Sequence, residues 1–203
     1  GTVGPIINML IGFFMGLSSG AGVVISQYYG AKRFAEVEKT VHTAIAMTLI
    51  LGIAFTGLGL FMTPYMLTLM KTPENVLPES TAYLTIYFSG ILGLMLYNIG
   101  AGILRAVGDS KRPFYYLVVC AVMNTVLDLV FVIQFKMGVR GVALATILSQ
   151  ATSAILVMIT LLHTDECIRL RLKKLRLHWE MLKKIFRVGI PAAIQMAITA
   201  FSN

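Results

Sequence analysis

Asp128 is the side chain whose chemistry most needs a reason. It lies within FYYLVVCAVMNTVLDLVFVIQF, residues 114–135, with no base within a helical turn on either side. Asn124 precedes it by one turn, so on a helix both side chains share a face, while Thr125 and Gln134 fall on others. Further on, GVALATILSQATSAI sets Thr146, Ser149, Gln150 and Ser153 along one helical stripe. If the two segments pack side by side, a carboxylate, an amide oxygen and a hydroxyl converge. These are hard oxygen ligands, suited to a small alkali cation or to a proton held on the carboxylate. A mid-span acid costs about 2.5–3.5 kcal/mol on insertion scales and usually marks an ion or proton path. Asn, Ser and Thr in spans also form plain interhelical hydrogen bonds, about 0.6 kcal/mol each on average. That alternative stands beside the binding role for Asn124, Thr146, Ser149 and Ser153. Asn98 would share a face with Arg105, but deeper, and could line a cavity; Arg105 and Asp109 read as a loop ion pair.

Other chemistry finds little support. His42, His163 and His178 lie at span ends or in a basic linker without ligand spacing, and Cys120 and Cys167 form no pattern. No nucleophile–base pair, phosphate loop or metal cluster is recognisable, so neither an enzyme nor a bound cofactor is expected. GFFMGLSSG spaces Gly12, Gly16 and Gly20 four apart, a small-residue pattern for close helix packing. Pro64 and Pro191 are candidate kinks.

The elements that must hold Asp128 follow from composition. The 203 residues are 57% hydrophobic and 13% charged, with a mean hydropathy of +0.81. Apolar runs free of charge reach the length of about 20 residues that a bilayer core demands. The sequence therefore reads as an all-α, polytopic membrane bundle. Five complete spans are expected near Val3–Tyr29, Thr40–Met70, Ala82–Leu104, Pro113–Phe135 and Gly138–Leu162, with another starting at Val188. A barrel is excluded, since its strands would show short alternating segments. The net charge of +8 resides in loops rather than in a nucleic-acid face, so no nucleic-acid partner is expected. Lys32, Arg33 and Lys39 follow the first span, Lys71 alone the second, and Arg105, Lys111 and Arg112 the third. Lys136 and Arg140 follow the fourth, and a dense basic linker the fifth. This alternation puts the first, third and fifth loops in the cytoplasm. The linker interleaves bases with Leu170, Leu172, Leu175, Leu177, Trp179, Leu182, Ile185 and Phe186. It reads as an interfacial amphipathic helix against anionic lipid, as a tether between two bundles, or as both. Gly1 and an apolar C-terminus read as cut ends, with a first helix expected upstream.

GLSSGAGVVISQYYGAKR, ILRAVGDSKRP, MNTVLDLVF, GVRGVALATILSQ and VGIPAAIQ, in this order, resemble the multidrug and toxic compound extrusion (MATE) family. The resemblance covers the whole chain. It implies most of one six-helix lobe of a twelve-helix transporter: lobe 1–162, cytoplasmic linker 163–187, and the start of the second lobe at 188–203. It further implies that Asn124, Asp128 and Thr146 surround a coupling cation or proton, with Na+ or H+ as the coupling ion. Ser149, Gln150, Ser153 and Asn98 would line the cavity. Small organic, often cationic compounds would be exported through the plasma (inner) membrane, by a monomer in contact with lipid. Two features depart from relatives: no acid lies between Pro191 and Asn203, where some branches carry a glutamate, and Ala106 stands where many have Gly. The runner-up is a flippase of the same superfamily, for lipid-linked oligosaccharides or peptidoglycan precursors. Such a protein would line its cavity with several bases, and the complete spans here hold none beyond Arg140, in the first turn of the last of them. A non-transporting assembly protein or a channel would not need the Asn124–Asp128–Thr146 set.

Overall fold

The computed structural model describes residues 3–69, 71, 73–164 and 166–202. Among them the helices are α1 (Val3–Gly30), α2 (Phe34–Leu69), α3 (Leu77–Ser89), α4 (Ile91–Ala106), α5 (Lys111–Leu129), α6 (Val139–His163) and α7 (Trp179–Ser202), and there is no strand. Five stretches are long and apolar enough to cross a membrane: Ile7–Gly30, Phe34–Leu69, Leu77–Ala106, Lys111–Gln134 and Val139–His163. The expected spans are thus present as an all-α bundle, most helix ends falling within two residues of those expected, while the second and third spans begin more than a turn early, at Phe34 and Leu77. Met70, the expected end of the second, lies outside the described residues. Helices are the elements that satisfy their own backbone in lipid. Buried hydroxyls follow the same rule, with Thr48 and Ser149 each donating to the carbonyl one turn back at 2.8 Å.

Two irregularities were not expected. The third span breaks at Gly90, dividing α3 from α4. A side chain at Gly90 would overlap Ile147 of α6, so the break falls where the facing helix leaves no room for one. The second is a π-helical turn, Val130–Gln134, which continues α5 directly after Asp128. Such turns inside α-helices are frequent at functional sites. The corner after α4 closes as a Schellman cap: Gly108 takes φ +91, and the Asp109 N–H bonds Leu104 O at 2.9 Å.

The Gly12–Gly16–Gly20 stripe packs against α7, where Gly189, Ala193 and Ala197 form a matching row of small residues. A methyl group on Gly16 would overlap the Ala193 Cα, and one on Gly20 would sit 2.6 Å from the Gly189 Cα. With no side chains between them, the backbones meet over a long crossing, the small-xxx-small arrangement of membrane helices. Pro64 and Pro191 both lie inside helices. The core joins Phe14, Leu17 and Ile25 of α1, Ile45 of α2, Met95, Ile99 and Ile103 of α4, and Leu161 of α6. Phe61 (68% exposed) and Ile133 (61% exposed) turn outward, as a lipid solvent permits.

The linker is not one amphipathic helix. After α6 it runs irregularly, with a single 3-10 turn at Leu172–Lys174, and α7 begins at Trp179, earlier than Val188. Ile168 and Leu170 plunge into the core at 1% and 2% exposure. The Leu170 N–H donates to Leu161 O at 2.8 Å, folding the linker back on α6. It is also stitched to α2. His42 Nε2 accepts the Arg171 N–H at 3.0 Å, and Nδ1 lies 2.8 Å from Glu38 O. The Arg171 backbone N–H can only donate, so Nε2 is the acceptor of this pair. Thr43 Oγ1 accepts the His178 N–H at 3.0 Å, and Lys174 pairs with Glu38 at 2.8 Å.

Candidate functional site

Helices α5 and α6 lie side by side and bring Asn124 and Thr146 together. Asn124 Nδ2 donates to Thr146 Oγ1 across 3.4 Å, and Thr146 gives its own proton to Val142 O at 3.0 Å. Donation through Nδ2 leaves the Asn124 amide oxygen free. One turn along α5, Asp128 Oδ1 is buried with no hydrogen-bond partner among the described residues. No lysine or arginine pairs with it: the ion pairs found are Arg33–Glu36, Arg112–Asp109 and Lys174–Glu38. A buried, unpaired carboxylate oxygen is costly and calls for a reason. A proton, or an alkali cation held also by Asn124 Oδ1 and Thr146 Oγ1, would be a partner of fitting chemistry, since all three are hard oxygens.

The rest of the expected stripe is spent otherwise. Ser149 donates to Ala145 O at 2.8 Å and Ser153 to Gln150 O at 2.9 Å, both side chains buried. Neither of these, nor half-buried Gln150, hydrogen-bonds Asn124 or Asp128. Thr160 of α6 meets Tyr116 of α5 at 2.6 Å, a second polar tie between the two helices.

Asn98 does line a cavity. Half-buried and bonded to Leu94 O at 2.7 Å, it faces a space of about 540 Å³ between α1, α4 and α7. Ser18, Ser19, Ser26, Gln27 and Arg105 share that lining. The serines of α1 escaped the sequence reading, although Ser19, Gly22 and Ser26 make a small polar row one helical face away from the glycines. Arg105 does not pair with Asp109. That carboxylate accepts Arg112 Nε at 2.6 Å and the Arg112 N–H at 3.2 Å, capping α5. Burial would raise the Asp109 pKa, but the bonds from Arg112 outweigh it and hold the carboxyl below its usual range. Arg105 is released to face the cavity, one base at its mouth rather than the several a flippase would need. Among the described residues no group of His, Cys, Asp and Glu could hold a metal ion.

A multi-span helical bundle with Ser, Asn, Gln and Arg set into a largely apolar cavity, and an unpaired acid within an apolar span, has the build of a membrane transporter lobe, not of a catalyst. The family model MatE matches residues 1–130, and the chain belongs to that family, the multidrug and toxic compound extrusion (MATE) transporters. It is 34% identical over 209 residues to the probable multidrug resistance protein YoeA of Bacillus subtilis (strain 168), covering 98% of this chain and 44% of that protein. An inward-facing multidrug resistance MATE family transporter of the MOP superfamily superposes at a TM-score of 0.86, with 27% identity, covering 97% of this chain and 46% of that one. An outward-facing structure of such a transporter gives a TM-score of 0.86 at 26% identity, over 95% and 43% of the two chains. The chain thus spans less than half the length of the relatives it matches.

Proposed function

We propose that the transporter carrying this chain exports organic, often cationic compounds in exchange for sodium ions or protons, with Asp128 as the coupling group. The buried, partnerless Oδ1 of Asp128, one turn from the Asn124–Thr146 contact, is the observation that carries this reading. Residues 1–162 form the N-terminal lobe, 163–187 the cytoplasmic linker, and 188–203 open the second lobe. The protein is a monomer in the plasma (inner) membrane.

Binding of the cation or proton neutralises Asp128. The charged and neutral forms then favour different packings of α5 on α6, and the π-helical turn at Val130–Gln134 is the local freedom that lets α5 adjust. An ion shifts such an equilibrium only by its differential affinity for the two states. By linkage, what the ion does to cargo affinity the cargo does to ion affinity. The good match of this bundle to both inward- and outward-facing structures supports access switching chiefly by movement of one lobe against the other.

Export of a fluorescent organic cation from vesicles, under an imposed sodium or proton gradient, tests the proposal. Asp128→Asn is expected to abolish the gradient dependence. Export by the variant that still follows the gradient would remove Asp128 from coupling.

A further inference from the structure

At the cytoplasmic end of α2 a cavity of about 410 Å³ is lined by Ala35, Glu38, Lys39, His42, Lys173, Lys174, Arg176 and His178. Four cationic side chains, from segments far apart in sequence, face one carboxylate, and that carboxylate is already held by Lys174 at 2.8 Å. Among the described residues Lys39, Lys173 and Arg176 line the space without an ion pair of their own. The linker backbone is tied to α2 here: His42 is 1% exposed, and it accepts the Arg171 N–H while Thr43 accepts the His178 N–H. His178 reports the local field. Burial first, then the charges of Arg176 and Lys39, hold its pKa below the usual value.

Beside this cavity Leu172 (68% exposed) and Trp179 (66% exposed) point outward. Tryptophan and leucine at a cytoplasmic helix end sit at headgroup level, where anionic lipids attract lysine and arginine. We propose that this cavity binds the phosphate of an anionic membrane lipid headgroup. Lys39, Lys173 and Arg176 contact the phosphate oxygens, while Leu172 and Trp179 border the acyl chains. A soluble phosphate ester offers the same anion without the apolar anchor. The site lies apart from Asp128 and does not depend on which ion drives transport.

The test uses the full-length transporter in detergent, titrated with phosphatidylglycerol carrying a fluorescent tail, with phosphatidylcholine as reference. Two double variants remove equal charge: Lys173→Gln with Arg176→Gln inside the cavity, and Lys32→Gln with Lys111→Gln outside it. Phosphatidylglycerol is expected to bind about tenfold or more tightly than phosphatidylcholine. The inside variant should lose that preference and the outside variant keep it. Lys39→Gln, an exposed single change on α2, should weaken it too, which guards against a linker variant that misfolds. Glycerol 3-phosphate added as competitor separates the sources. Displacement of the lipid places the recognition in the phosphate alone, and resistance places it in headgroup and chains together. Equal weakening by both double variants would reduce the effect to diffuse polybasic attraction and overturn the site. So would the absence of any preference in the unaltered protein.

Discussion

Replacing Asp128 by Asn changes one oxygen to an NH2 group and removes one charge, and its effect on stability should reverse sign with the coupling ion. With no ion bound, the wild-type carboxylate keeps Oδ1 buried and unpaired. A fully buried mid-span charge costs about 2.5–3.5 kcal/mol, so with one of two oxygens dry the cost is about 1–2 kcal/mol. In sodium-free choline buffer near pH 8, Asp128→Asn should therefore be the more stable protein by about that amount. A ligand that binds the folded state a hundredfold above its Kd adds about 2.7 kcal/mol. Wild type should gain this with sodium or on acidification, whichever ion couples, while the variant gains nothing. The ranking then inverts. Thermal unfolding of the full-length transporter in detergent, across a sodium series and a pH series, reads both arms. Parallel curves for the two proteins, or a variant less stable in every buffer, would refute the ion-site reasoning.

Thr146→Val removes the hydroxyl facing Asn124; it should cost about 0.6 kcal/mol of stability yet weaken the sodium or proton response much more, read in the same melts. Gly16→Val should destabilise by about 1–3 kcal/mol through overpacking against Ala193, whereas Gly22→Ala, with no atom within 4 Å of the added methyl, should be neutral or stabilising. His42→Phe leaves the Arg171 N–H without its acceptor, at about 1–3 kcal/mol, and should expose the linker to trypsin at Arg171 and Lys173 in a timed digest. His178 has a folded-state pKa below its usual 6.5, so the unfolded chain takes up the proton more readily. Its contribution to stability is present above that value and is lost as pH falls through it. His178→Gln should flatten the acid side of the melting profile between pH 7 and pH 5.

Hydropathy and helical spacing are local properties, and they were enough to find the spans and to set Asn124 and Asp128 one turn apart on α5. The spacing of Gly12, Gly16 and Gly20 likewise announced a close crossing, because a stripe without side chains has little other use in lipid. It could not name α7 as the partner, since choosing a partner depends on a facing row, Gly189–Ala193–Ala197, far away in the chain. Ser149 and Ser153 shared a stripe with Thr146, yet their hydroxyls turned to their own helix. Spacing assigns a face but not a rotamer.

By itself the sequence determined that this is a helical membrane bundle with one acid placed inside an apolar run, because those facts follow from residue-by-residue cost of transfer into lipid. Only the tertiary structure decided that Asp109 takes Arg112 and frees Arg105 for the cavity, that α3 and α4 part at Gly90, and that the linker folds back onto His42. Each of these is settled by which surfaces meet, and a competition among partners is won in space rather than along the chain.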